Sequence, residues 1–318
     1  MRNRITFVGA NKVFFIFTML FLFFQLVLVG MTIIYGQDFI ENNIYGILLI
    51  NQYVLILVPV LVYVLANRLN IKSVFRLNSP GIIPSILIII MSPFAYMVAA
   101  MLNTFVIYLL QFIGNIPSQS IPVPHSPREL AVGIFVIAVS PAICEELLHR
   151  GIMLSAYEKR GTMKALVYTS IFFGIFHFDI TNLLGPIFLG LLIGYYVFKT
   201  NSIFAGMIAH FMNNAIAECI QYFFRKEIKP MDFIKLSGEE LAGAIIYGIA
   251  GLIFLSLLLV LFRYATRKIY VFKPSISSVR NDIVSISSHW PIIVILGIYL
   301  LFMAIYLLSI IATRVSGF

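Results

Sequence analysis

The chain of 318 residues is 61% hydrophobic and only 11% charged, with a mean hydropathy of +1.00. A soluble domain carries about a quarter charged residues, so an ordinary soluble fold is excluded, and no polar stretch is long enough to bury a core of its own. The net charge of +9 is not a nucleic-acid footprint, because Lys and Arg come in small groups between apolar runs, as loop ends of a membrane protein do. No nucleic-acid partner is expected, and Cys144 and Cys219, both inside apolar runs, do not form a disulfide framework.

The N-terminal M-R-N-R-I-T-F-V-G-A-N-K leads into an apolar run over 13–35. That run is too long for a signal-peptide core and has no small-residue cleavage site, so it reads as a retained first span. At about 20 apolar residues per crossing, further spans fall near 47–66, 82–113, 130–157, 165–178, 183–198, 202–224, 241–262 and 290–312. The expected fold is an all-α polytopic transmembrane helix bundle of about eight or nine spans. The run 82–113 is longer than one crossing needs and holds Pro93, which leaves a kinked span, a tilted span, or a span plus a surface helix open. The run 165–178 is short and needs neighbours over its ends.

Most of the Lys and Arg lie in Arg2–Lys12, Arg68–Arg76, Lys159–Lys164, at Lys199 and in Arg263–Arg280. These segments share one side if the N-terminus is cytoplasmic, which is the positive-inside pattern. Arg128, Arg225, Lys226, Lys229, Lys235 and Arg314 fall on the other side, as does the proline-rich segment Asn115–Glu129. Were 82–113 two spans, everything after it would reverse. Residue usage rich in Ile, Phe and Asn suggests a bacterial cell membrane.

An ionisable group at bilayer depth costs about 2.5–3.5 kcal/mol on insertion scales and marks a functional site by default. The span 130–157 carries E-E-L-L-H-R, with Glu145, Glu146, His149 and Arg150; the span 165–178 carries F-F-G-I-F-H, ending in His177. The span 202–224 carries H-F-M-N-N-A-I-A-E, with His210, Asn214 and Glu218 four residues apart. Counted from the basic helix ends at about 1.5 Å per residue, Glu145 lies roughly 20 Å deep, His177 and Asn214 about 18 Å and His210 about 12 Å. Three helices thus deliver polar groups to one band of depth.

Glu146 and Arg150 stand at i and i+4 in the order that favours an ion pair, so Glu146 is the counter-ion of a cation that cannot discharge. Glu145 is rotated by about 100° and is left for chemistry as a general base. Two imidazoles and an amide supply the other parts for activating water and holding an oxyanion. Glu218 reads as a polar packing group near the far interface, Cys144 as an inert buried thiol, and His125 and His289 as solvated. Asn213 lacks the i+4 spacing from His210.

The set E-E-x-x-x-R (Glu145, Glu146, Arg150), F-x-x-x-H (Phe173, His177) and H-x-x-x-N (His210, Asn214) resembles the CAAX prenyl protease type 2 and bacteriocin-processing family, also called the abortive-infection family. Its members are intramembrane endopeptidases. The resemblance covers about residues 130–225 and divides the chain into N-terminal accessory spans (1–113), a protease-like core (114–225) and C-terminal accessory spans (226–318). It implies that Glu145 and His177 activate water while His210 and Asn214 stabilise the oxyanion, with His149 and Phe173 in a supporting layer. His149 stands where relatives often have an aromatic residue, and could hydrogen-bond Glu145.

The expectation is a metal-free mechanism with no cofactor. Were zinc used, Glu145, His177 and His210 would be its ligands, and Glu145 could not easily serve as the base as well. The substrate would be a peptide or membrane-protein segment reaching the site from the bilayer or the cytoplasm, through an opening towards the cytoplasmic half. Prenylated C-termini are cleaved by some relatives, and leader peptides or membrane proteins fit equally here. Rival readings are a proton-coupled transporter and a catalytically silent immunity or regulatory partner docking through the accessory spans.

Overall fold

The computed structural model describes residues 5–117, 122–224, 233–269, 273–275 and 277–315. Apolar runs bounded by capping residues become helices. Thr6, Ser126, Ser237 and Ser278 each accept a backbone N–H of the first turn, and Glu240 reciprocates at Ser237 to complete a capping box. The main helices are α1 Phe7–Tyr35, α2 Ile44–Ala66, α3 Ile82–Leu110, α4 Pro127–Arg160, α5 Thr162–Ile175, α6 Leu184–Thr200, α7 Ile203–Phe223, α8 Gly238–Ala265, α9 Val279–Ser287 and α10 Trp290–Val315. Seven of them are long and apolar enough to cross a membrane, while α5 and α6 are shorter. Among the described residues the only strand pairing joins Ile116–Pro117 to Phe233–Ile234. The architecture is the expected all-α bundle.

The run 82–113 proves to be one span. Pro93 sits inside a continuous α3, and α8 lies along it at short range. A Cβ on Gly248 would come within 2.2 Å of Met101 Sδ, and one on Gly251 within 2.9 Å of the Phe94 carbonyl oxygen. Small residues of this kind let helix backbones approach where lipid offers no hydrophobic drive.

The short α5 and α6 form a hairpin whose turn stops inside the bundle. Phe178 takes a left-handed conformation, φ 50°, and Asp179 accepts from both the N–H and the hydroxyl of Thr181. Asn103 of α3 donates to Asn182 and accepts from the Gly185 N–H. The Phe178 ring is covered by Phe21 of α1 and Phe302 of α10, at centroid distances of 5.5 and 5.7 Å. No backbone polar group can be left bare at this depth, and these neighbours make a truncated hairpin tolerable.

The two ends of the bundle differ in chemistry. At one end Glu158 joins Arg76 (2.8 Å) and Lys273 (2.9 Å), and Asp282 of α9 joins Arg160 and Lys164. There too Asn11 accepts from Tyr157 (2.6 Å) and donates to His289 (3.1 Å), so His289, partly exposed, is also anchored. At the other end Asn115 bonds the Ile310 carbonyl and Gln111 bonds Leu236. The described basic segments expected to share one side therefore do share one end. Arg2, Arg4, Arg225, Lys226 and Lys229 lie outside the described residues.

Candidate active site

The helix that carries both glutamates is not a regular α-helix. Within α4, π-helical turns at Ile134–Val139 and Leu147–Met153 flank an α-helical segment Ser140–Glu146. Pro141 contributes to this irregularity: it has no N–H for the carbonyl four residues back, that of Ile137. Asn214 of α7 donates its amide to that carbonyl at 2.9 Å. A sequence feature of α4 is thus answered by a motif residue of α7, which fixes the two helices against each other beside the glutamates.

Glu146 is fully buried and its Oε1 accepts from Arg150 Nη1 at 2.9 Å. The same oxygen meets His210 Nδ1 at 2.9 Å. A carboxylate already paired with a guanidinium can only accept, so His210 donates from Nδ1 and turns Nε2 towards Glu145. Arg150 is completed by the Gly190 carbonyl at 3.3 Å and by the Phe173 ring, whose centroid lies 4.5 Å from the guanidinium carbon. Phe173 also meets His149, His177 and His210 edge-on at 4.9, 5.2 and 5.7 Å. It is the apolar post around which the polar groups are arranged.

Glu145 has a different setting. Its Oε1 accepts from Gln52 Nε2 of α2 at 2.8 Å. Its Oε2 has no hydrogen-bond partner among the described residues and stands 3.9 Å from His210 Nε2. The His177 Nδ1 lies 2.8 Å from the Phe173 carbonyl oxygen, an acceptor, so Nδ1 donates and Nε2 is left without a bond to the protein among the described residues. Glu145, His177, His210 and Asn214 line one cavity of about 500 Å³. Glu145 Oε2 and His210 Nε2 thus stand 3.9 Å apart, and His177 lines the same cavity.

His149 is placed differently from expectation. It makes no bond to Glu145; both ring nitrogens are buried without partners among the described residues, and the ring lies edge-on to Phe14, Phe173 and Phe176 at 6.0, 4.9 and 4.8 Å. The intervening π-turn bonds groups five residues apart rather than four, which takes His149 out of line with Glu145. The zinc set is not assembled either. Among the described residues no three His, Cys, Asp or Glu side chains come together as a metal group.

The cavity extends away from the Lys/Arg-rich end. From Glu145 the cavity runs past Asn103, Glu218 and Gln221 to Ile44 and Pro122, towards the end opposite the Lys/Arg-rich one. The basic side is sealed by Glu146, Leu148, Arg150 and Ile152, none more than 2% exposed. Depth along a helix gives the position of a group but not which side of it is packed.

Residues 127–216 match the family model described as type II CAAX prenyl endopeptidase, Rce1-like. This segment is Rce1-like. The match starts with α4, ends within α7, and contains Glu145, Glu146, His149, Arg150, Phe173, His177, His210 and Asn214. With seven helices among the described residues long and apolar enough to cross a membrane, the chain is an integral membrane protein. No curated protein and no solved structure matches it.

Gln52 escaped the sequence reading. Its signal was available as an amide inside the apolar run 47–66, but an amide costs less than a charge at that depth and did not stand out. The bond between Glu146 and His210 left no sequence signal, because spacing along one helix says nothing about rotation against another.

Proposed function

We propose that the chain is a metal-free intramembrane endopeptidase with Glu145 as general base. The observation that carries this reading is the free Oε2 of Glu145, held 3.9 Å from His210 Nε2 at the closed end of a cavity. A water placed there can give its hydrogens to Glu145 Oε2 and to His177 Nε2. Glu145 takes one proton as the water oxygen attacks the scissile carbonyl carbon. The carbonyl oxygen then carries the charge and accepts from His210 Nε2–H, with the ring doubly protonated, and from the second amide hydrogen of Asn214. When the C–N bond breaks, the proton held by Glu145 passes to the leaving amine.

Supporting groups fit these roles. Gln52 fixes one carboxylate oxygen of Glu145 and leaves the other for chemistry. Glu146 orients His210 and balances Arg150, as a carboxylate behind an imidazole does in other hydrolytic sites. The closed floor suits hydrolysis better than passage of a solute. The substrate in this reading is a membrane-associated peptide or protein segment entering from the end opposite the Lys/Arg belt.

The test is mass spectrometry of membrane peptides from cells carrying wild-type protein or Glu145→Gln. New termini present only with the wild type are expected. Identical peptide sets, with both proteins present at equal levels in the membrane, would remove the endopeptidase reading.

A further inference from the structure

In a chain of net charge +9, the described lining of the central cavity contains no Lys or Arg and two carboxylates, Glu145 and Glu218. Glu218 plays no part in the chemistry above. It is 1% exposed, and it has no hydrogen-bond donor or counter-ion among the described residues; its Oε1 is buried without a partner. The slot it occupies depends on Gly133 of α4, since a Cβ there would lie 2.2 Å from Oε1. On the same helix, Asn213 Oδ1 and Gln221 Oε1 are also buried acceptors without donors, and both residues line the cavity.

Acceptors gathered without donors at bilayer depth are costly unless a guest supplies hydrogen bonds. A guest with several donors, no acceptor and a positive charge suits a buried, unpartnered carboxylate such as Glu218. Those are the properties of an ammonium or a guanidinium group.

We propose that Glu218 is a specificity residue that receives a Lys or Arg side chain of the substrate. The proposal rests on the endopeptidase reading and adds a register to it. Glu218 lies eight positions beyond His210 on α7, about 12 Å along the helix at 1.5 Å per residue. An extended peptide covers about 3.3–3.6 Å per residue, so the basic residue sits three or four positions from the scissile bond, on the side nearer the cavity mouth.

The test uses the full chain in lipid nanodiscs and N-acetylated peptides, so that no α-amine can stand in for a side chain. A randomised decapeptide library is digested and the cleaved bonds are read by mass spectrometry. At least fivefold enrichment of Lys and Arg at one position, three or four residues from the cut, is expected with wild type and should vanish with Glu218→Gln. Cleavage without basic enrichment, or equal enrichment with Glu218→Gln, overturns the subsite and leaves the endopeptidase reading standing.

A binding arm needs no turnover and, in its first comparison, no change at Glu218. Fluorescence anisotropy on Glu145→Gln protein compares an Ala/Leu decapeptide bearing one Lys with its norleucine counterpart. At least tenfold tighter binding of the Lys peptide is expected, with the difference lost in Glu145→Gln/Glu218→Gln. If wild type cleaves no library peptide but this preference holds, the endopeptidase reading falls and the cation subsite stands. Equal binding of the two peptides overturns the subsite.

Discussion

Glu145 and Glu146 are adjacent in sequence and opposite in circumstance. Glu146 is bound by Arg150 and His210, whereas Glu145 holds one bond, from Gln52, and keeps Oε2 free. Glu145→Gln should therefore abolish turnover and leave the fold intact, since the amide keeps the shape and loses the base. Arg150→Ala should instead lower yield and thermal stability, because it strands a buried carboxylate at a cost of about 3–5 kcal/mol. Detergent-phase melting of both variants, alongside activity, checks the pair; the reverse outcome would exchange the two assignments. Gln52→Ala should lower kcat about 10–100-fold with little change in melting, the scale of a hydrogen bond to a charged group of about 1.5–3 kcal/mol. Unchanged kcat would show that Gln52 does not orient the base. At this scale Glu145, Glu146, His149, Arg150, His177, His210 and Asn214 were legible because polar groups stand out in an apolar run. Their pairings were not: His210 bonding Glu146, Asn214 bonding the Ile137 carbonyl and His149 buried among aromatic rings all depend on interhelical rotation and on π-turns, which spacing does not encode.

Nine apolar runs were legible as helices, since hydropathy over about 20 residues is set by the bilayer itself. The amphipathic α9 was not, because Val279–Ser287 is short and polar overall. Its place is fixed by Asp282, buried and bonded to Lys164, Ser277 and Arg160. Burial raises the Asp282 carboxyl, but the hydrogen bonds from Lys164, Ser277 and Arg160 outweigh it and hold the group below its ordinary value. A carboxyl depressed in the folded state contributes stability that is complete above the ordinary carboxylate range and is lost as pH falls through the lower folded value. Hydrogen exchange over residues 277–289 should therefore quicken as pH drops below about 4, once corrected for the intrinsic pH dependence of exchange. Asp282→Asn should remove that acid sensitivity and loosen α9 at neutral pH by about 1–3 kcal/mol. An acid response unchanged in the variant would assign it to another group. A second element-scale contact lies at Gly206 of α7, where a Cβ would stand 2.8 Å from Glu146 Oε2 and 2.9 Å from Val197 Cγ2.

Across the whole molecule, the division into ends joins topology to function. Arg76, Lys164 and Lys273 share one end with Glu158 and Asp282, and the cavity extends towards the other, past Pro122 and Gln221. The positive-inside rule gives the expectation that the Lys/Arg-rich end is cytoplasmic. On that orientation the mouth faces away from the cytoplasm, and substrates are segments already carried to the far side or exposed there within the bilayer. A cytoplasmic prenylated tail would have to reach the site from the wrong end. Single cysteines at Asn43 and Lys72, both exposed and at opposite ends, separate the alternatives once Cys144 and Cys219 are replaced. In intact cells a membrane-impermeant maleimide should label the cysteine at position 43, and should reach the one at position 72 only after the membrane is opened. Labelling of position 72 alone in intact cells would invert the chain, set the cavity mouth towards the cytoplasm, and restore cytoplasmic tails as the substrate class that can reach Glu145.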